Sequence, residues 1–215
     1  MEQREAKHLH ELLSQARLPE YEAFCGGDRV AALRLFCWNT EVAAAFYGPL
    51  QHIELALRSV LDQRMFHLFG QRDWWAHPEA HLHRPAQAKI RDVTQQLARQ
   101  SIPATSSEIV AELPFGFWVS LLGRGNGYDQ RLWRTSLYWA FPGYRGGRAA
   151  LHRELDYLRV LRNKVAHHCP IHHRHLDADH ETILRVLGYV DSQLAALVGR
   201  YSPVSAVLAR RPTTR

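Results

Sequence analysis

From Arg29 to about Phe69 the chain keeps one uninterrupted helical period. Val42, Phe46, Leu50, Ile53, Leu57 and Leu61 recur three or four residues apart and mark one apolar face. Strands require alternation with period two, so this run commits the chain to helix packing. Gly48-Pro49 interrupts it, because proline lacks the amide hydrogen a helix interior needs, and a break or kink is expected there.

The remaining segments follow the same rule. Leu9, Leu12 and Leu13 suggest a short first helix ending before Pro19. The turn residues from Cys25 lead to Asp28, a suitable cap for the long helix. Arg72 to Pro85 is a polar connection rich in Trp and His. A helix follows over about Ala86–Arg99, then a break at Pro103 and a short helix capped by Ser106 or Ser107. Leu113 to Gly123 is strongly apolar; with no partner strand nearby it reads as a buried helical turn. Tyr128–Phe141, Gly147–Ala166 and Asp179–Arg200 are further helices, and the tail after Pro203 reads as loosely ordered. The expected architecture is all-α, a single domain of six to eight helices: an N-terminal helix and turn over 1–27, a helical domain over 28–201, and a tail over 202–215.

Composition narrows the function classes. Of 215 residues, 46% are hydrophobic and 22% charged, which permits a packed core. No stretch approaches the roughly 20 apolar residues of a membrane span, and the N-terminus lacks the apolar region of a signal peptide. The three cysteines, Cys25, Cys37 and Cys169, form neither a disulfide framework nor a C-x-x-C pair, so a cytoplasmic setting is expected. Net charge is +6, and only three of the 27 basic residues are lysine. Arginine is the better bidentate phosphate ligand, so the balance leans modestly toward a nucleic-acid partner.

The segment after Gly147 carries the chemistry. At 100° per residue, Leu151, Leu155, Leu158, Leu161 and Val165 form one apolar stripe, and Arg162 projects into it. A guanidinium on an apolar face requires a partner or a wet cleft. Asn163 and His167 lie together on another flank, and Pro170 ends the helix near His167 or His168. On a continuous helix Arg162 and His167 diverge by about 140°. Histidine, whose ordinary pKa lies near neutrality, suits base or acid chemistry at a ribose 2′-hydroxyl or a leaving 5′-oxygen. An arginine beside it would stabilise charge growing on the phosphate.

Arg162-Asn163-Lys164-Val165-Ala166-His167, followed by His168, reads R-N-x-x-x-H-H and resembles the motif of HEPN ribonucleases, most closely their Abi-like (abortive infection) branch. Two further blocks are similar to that family, His52–Arg58 and Glu112–Trp118, so the resemblance spans roughly Thr40 to Leu187. It implies a HEPN-like helical bundle, here with additional N-terminal helices. It also implies a metal-independent endoribonuclease that leaves 2′,3′-cyclic phosphate and 5′-hydroxyl ends, with no cofactor. Arg162, Asn163 and His167 are then the expected catalytic residues. His168, Glu54 and Arg58 are possible catalytic or supporting groups, with Glu54 a candidate partner for Arg162, and Lys164 and Arg159 are candidate RNA contacts. The family's habit of pairing two motifs implies a homodimer with a composite site. Its biology implies a toxin-like effector of anti-phage or toxin–antitoxin defence, silenced by an inhibitory protein or small RNA. The alternative is a HEPN-fold module that binds RNA or protein without cutting.

Other features have plainer readings. His172, His173, His175 and His180, with Asp177 and Asp179, lack metal-site spacing and read as a solvated loop. Phe115, Phe117 and Trp118 read as core, whereas Trp74 and Trp75 are better surface candidates. Gly123–Gly127 lacks the lysine of a phosphate loop and reads as a flexible turn, and Arg210-Arg211 as tail charge.

Overall fold

The computed structural model describes residues 3–13 and 17–213, and every regular element among them is helical. Positions 1–2, 14–16 and 214–215, parts of the expected N-terminal segment and tail, lie outside the described residues. The helices are α1 (Gln3–Leu12), α2 (Leu18–Phe24), α3 (Arg29–Phe69), α4 (Arg84–Arg99), α5 (Ser106–Glu112), α6 (Phe115–Ser120), α7 (Arg148–Ala166), α8 (Leu176–Val190), α9 (Ser192–Tyr201) and α10 (Val204–Leu208). Helix α2 has no counterpart in the sequence reading, which placed only a boundary at Pro19. That proline sits in the first turn of α2, where a missing amide hydrogen costs nothing.

Helix α3 is the spine. Its 41 residues give it a length of about 60 Å, and α1, α2, α6, α7, α8 and α10 all pack against it. Asp28 caps its start, Oδ1 accepting from the amides of Val30 and Ala31 at 2.9 and 3.1 Å. Gly70 closes it in the left-handed conformation at φ 71°, which glycine adopts without strain. The break expected at Gly48-Pro49 does not occur, and α3 continues through both residues. An interior proline costs about 3 kcal/mol. Around it Val42, Phe46, Leu50 and Ile53 are almost completely buried, each burial contributing roughly 1.5–3 kcal/mol, so packing outweighs the lost bond.

Four other expectations are corrected. The single helix expected from Asp179 to Arg200 is two, because Asp191 leaves helical geometry (φ −158°, ψ 126°) and caps α9 by accepting from the Leu194 amide at 2.8 Å. Tyr128–Phe141 is an irregular chain of a π turn and a 3-10 turn rather than one α-helix. The short helix α5 is capped by Thr105, not by either serine. Trp74 is fully buried, its indole donating to Asp62 at 2.8 Å, so the connection it sits in is a packed element rather than a surface.

The tail after Pro203 is also structured. Val204 and Val207 are buried, Trp38 Nε1 donates to the Val207 carbonyl at 3.0 Å, and Arg210 pairs with Glu41 at 3.5 Å. Arg211 donates to the carbonyl of His172 at 2.9 Å and lies over the Trp38 ring. The histidine-rich segment is only in part a solvated loop: His173, His175 and Asp177 are exposed, but Leu176 already begins α8. Asp179 is fully buried and bidentate with Arg174 at 2.8 and 2.9 Å, and His172 and His180 are buried. His172 packs against Tyr21 and Phe24, and Asn39 Oδ1 accepts from the amides of Ile171 and His172 at 2.8 and 3.1 Å.

Burial, reinforced by His173 and Arg211, lowers the His172 pKa to about 4, and Nδ1 is buried without a partner. The folded state therefore holds His172 neutral, whereas the unfolded chain protonates it near pH 6.5. Its contribution is present above pH 6.5 and is lost as pH falls toward 4, a change of about 2–3 kcal/mol. Urea unfolding should show stability dropping between pH 7 and pH 4.5, with a shallower drop in His172→Phe. An equal drop in the variant would assign the acid sensitivity elsewhere.

Candidate functional site

The core of the site is one buried carboxylate. The apolar stripe of α7 seats Leu151, Leu155, Leu158, Leu161 and Val165 against the core, which carries Arg162 inward toward α3. Arg162 Nε donates to Glu54 Oε2 at 3.0 Å. The other oxygen, Oε1, accepts from the backbone amide of Phe115 at 3.1 Å, at the start of α6. Arg58 approaches the same oxygen at 3.9 Å, one helical turn along α3. Three segments far apart in sequence thus meet on Glu54, whose side chain is only 12% exposed.

The pairing orients Arg162. Its Nε is spent on Glu54, while its terminal amino groups have no partner among the described residues, and its side chain remains 35% exposed. It forms one wall of a cavity of about 410 Å³ with Glu54, Arg58, Leu55, Tyr47 and His168. A cleft with a fixed guanidinium, a second arginine and an imidazole is built to hold an anion with a proton-transfer group beside it.

The end of α7 decides which histidine enters. His167 is the C-cap. The amide of Cys169 donates to Lys164 O at 2.8 Å and that of His168 to Val165 O at 3.2 Å, the paired bonds of a Schellman motif. His168 occupies the left-handed position at φ 55°, where glycine is usual. This reversal brings His168 onto the cavity of Arg162. His167 instead lines an adjoining cavity of about 770 Å³ with Tyr21, Phe36, Asn39 and Thr40. The two cavities share Tyr47, Val165 and His168.

The structure therefore brings together Glu54, Arg58, Arg162 and His168, and sets His167 next door. Asn163, Arg159 and Lys164 line neither cavity. Asn163 accepts the His167 amide through its carbonyl at 3.0 Å, and Arg159 is paired with Asp156 at 2.7 Å on the surface of α7. Phe115, Phe117 and Trp118 are buried core, as read from sequence. Among the described residues no group of three or more His, Cys, Asp or Glu side chains is placed to hold a metal ion, and no helix is long and apolar enough to cross a membrane.

Sequence reasoning missed Tyr47, Tyr21 and Asn39. Asn39 carried a usable signal, since it falls on the apolar stripe of α3 seven residues before Phe46, as out of place as Arg162 is on α7. Tyr21 carried none, because α2 itself was not foreseen.

Removing the shared carboxylate should be expensive. Breaking a buried pair costs roughly 3–5 kcal/mol, less where one partner reaches solvent as Arg162 does. Glu54→Ala is expected to lose about 2–4 kcal/mol in urea unfolding, and Glu54→Gln, which still accepts from Phe115, clearly less. Equal losses would mean that the Phe115 contact is immaterial.

Compared with known proteins, the chain matches no family model, no curated sequence and no solved structure.

Proposed function

We propose that the chain is a metal-independent endoribonuclease of the HEPN type, acting on RNA in the cytoplasm as a toxin-like effector of anti-phage or toxin–antitoxin defence. The observation that carries this reading is the Glu54–Arg162 pair: it aims a guanidinium into a cleft that also holds a histidine. In the proposed reaction a histidine takes the proton of a ribose 2′-hydroxyl, whose oxygen attacks the adjacent phosphorus. Arg162, with Arg58 behind it, stabilises the charge on the non-bridging oxygens. The 5′-oxygen leaves with a proton from a second acid, giving 2′,3′-cyclic phosphate and 5′-hydroxyl ends. His168 is placed for one proton transfer beside Arg162, and His167 lies one cavity away.

A homodimer would complete the site by bringing a second His167–His168 pair to the cleft. Supporting it, Tyr47 and Leu55 on α3 are apolar, 63% and 46% exposed, and border the cleft. An inhibitory protein or small RNA belongs to the same proposal, since an unrestrained nuclease would harm its host. The separation of Arg162 and His167 within one chain favours a second reading, a module that binds RNA or protein without cutting.

RNA incubated with purified protein and EDTA separates the two. The wild type is expected to produce cyclic phosphate ends, and Arg162→Ala and His167→Ala to slow cleavage by roughly 10²–10⁴. His168→Gly is the more telling variant. It removes the imidazole yet relieves a left-handed residue of its Cβ, so activity should collapse while the unfolding midpoint holds or rises. Uncut RNA with all four proteins would favour the binding module. Light scattering should give a dimer, and Leu55→Arg a monomer with diminished cleavage; a fully active monomer would remove the composite site.

A further inference from the structure

The larger cavity is constructed for a ligand of definite chemistry. Two of its polar side chains are more than nine-tenths buried, Tyr21 at 1% and Asn39 at 5% exposure. Asn39 Oδ1 is fully used by the amides of Ile171 and His172. Two N–H donors converging on that atom identify it as the oxygen, so the NH2 group is left without a partner among the described residues. The Tyr21 hydroxyl also has none there, and burial pushes its pKa up, keeping it a protonated donor. Phe36 and Tyr47 supply aromatic wall, and Tyr21 meets Phe36 edge to face. Aromatic surface with two unspent donors and the Arg17 cation, in a space of about 770 Å³, suits a planar heterocycle better than an aliphatic group.

We propose that this cavity is a nucleobase subsite that seats the base flanking the phosphate held by Arg162, and that it prefers a base presenting two adjacent acceptors, guanine or cytosine. The inference rests on the nuclease reading only for the identity of the phosphate. Tyr47, Val165 and His168 line both cavities, so the base and phosphate positions adjoin. The preference follows from hydrogen-bond polarity. An asparagine that reads adenine uses its amide oxygen and nitrogen together, and here the oxygen is already occupied. Only donation remains for Asn39, and two donors together suit two adjacent acceptors, O6 and N7 of guanine or O2 and N3 of cytosine. Tyr21 is a specificity-determining group in this arrangement and Asn39 its companion; neither takes part in proton transfer.

Binding measures this without depending on catalysis. The four nucleoside 3′-monophosphates are titrated against the full chain by calorimetry. GMP and CMP should bind more tightly than AMP and UMP, and Tyr21→Phe should erase roughly 3- to 10-fold of that advantage, the worth of one neutral hydrogen bond. Tyr21→Phe keeps the ring that packs on Phe36 and His172, so folding is preserved. Asn39→Asp keeps an oxygen for the two amides while removing the donor, and should erase the preference as well; should it fail to fold, Tyr21→Phe decides alone. Arg162→Ala should weaken all four nucleotides alike. Equal binding of the four by the wild type, no binding of any, or a preference untouched by Tyr21→Phe would each overturn the subsite. The parallel cleavage assay keeps the two readings apart. Cutting indifferent to the flanking base sinks the subsite and spares the nuclease; selective binding without cutting sinks the nuclease and spares the subsite.

Discussion

Everything in the candidate site depends on one carboxylate taken out of water. Glu54 sits on the central helix, and no buried charge there is tolerable without compensation. Its compensation comes from α7 through Arg162, from the start of α6 through the Phe115 amide, and at longer range from Arg58. A buried ion pair seldom stabilises a fold more than well-packed hydrocarbon of equal volume would, because desolvation consumes most of the Coulombic gain. What such a pair provides is position. With Nε committed to Glu54, Arg162 is held at the wall of the cleft, as a preorganised cation must be.

The same device recurs along α3. Asn39 holds the two amides that follow the motif helix, Asp62 holds the indole of Trp74, and Arg64 exchanges bonds with Ser136, donating to its carbonyl and accepting its hydroxyl on its own. Trp38 does likewise for the tail. Each is a polar atom on or beside an apolar face, satisfied by a segment 12 to 169 residues away. The spine thereby carries the register of the molecule as well as its core.

That division explains what could be read in the sequence. Apolar spacing is local, so the all-α class, the long helix, the α7 stripe and the Asp28 cap were legible from residue order alone. The need of Arg162 for a partner was legible too, because a guanidinium on an apolar face is a local anomaly; that the partner is Glu54 is a fact of tertiary structure. The packed tail, the burial of His172 and His180 and the order in the Trp74 connection were not legible. Their polar or mixed composition looks solvated until Trp38, Asn39 and Asp62 are seen to receive them. The expectation of a break at Pro49 fails for a related reason: local propensity forbids what four buried neighbours permit.

The end of α7 shows how a local signal can decide a site. Continued as a helix, the chain would place His168 about 120° around the axis from Arg162, on another face. Pro170 disfavours helical geometry at Cys169 and forces the chain to turn. The turn adopted puts a histidine in the left-handed position that glycine fills at far less cost. The strain is tolerated where a glycine would relieve it and leave the cleft of Arg162 without its imidazole. The same backbone conformation recurs at Arg17, His81 and Ser101, so it is its coincidence with the Glu54–Arg162 pair on one cleft that bears on the proposed site.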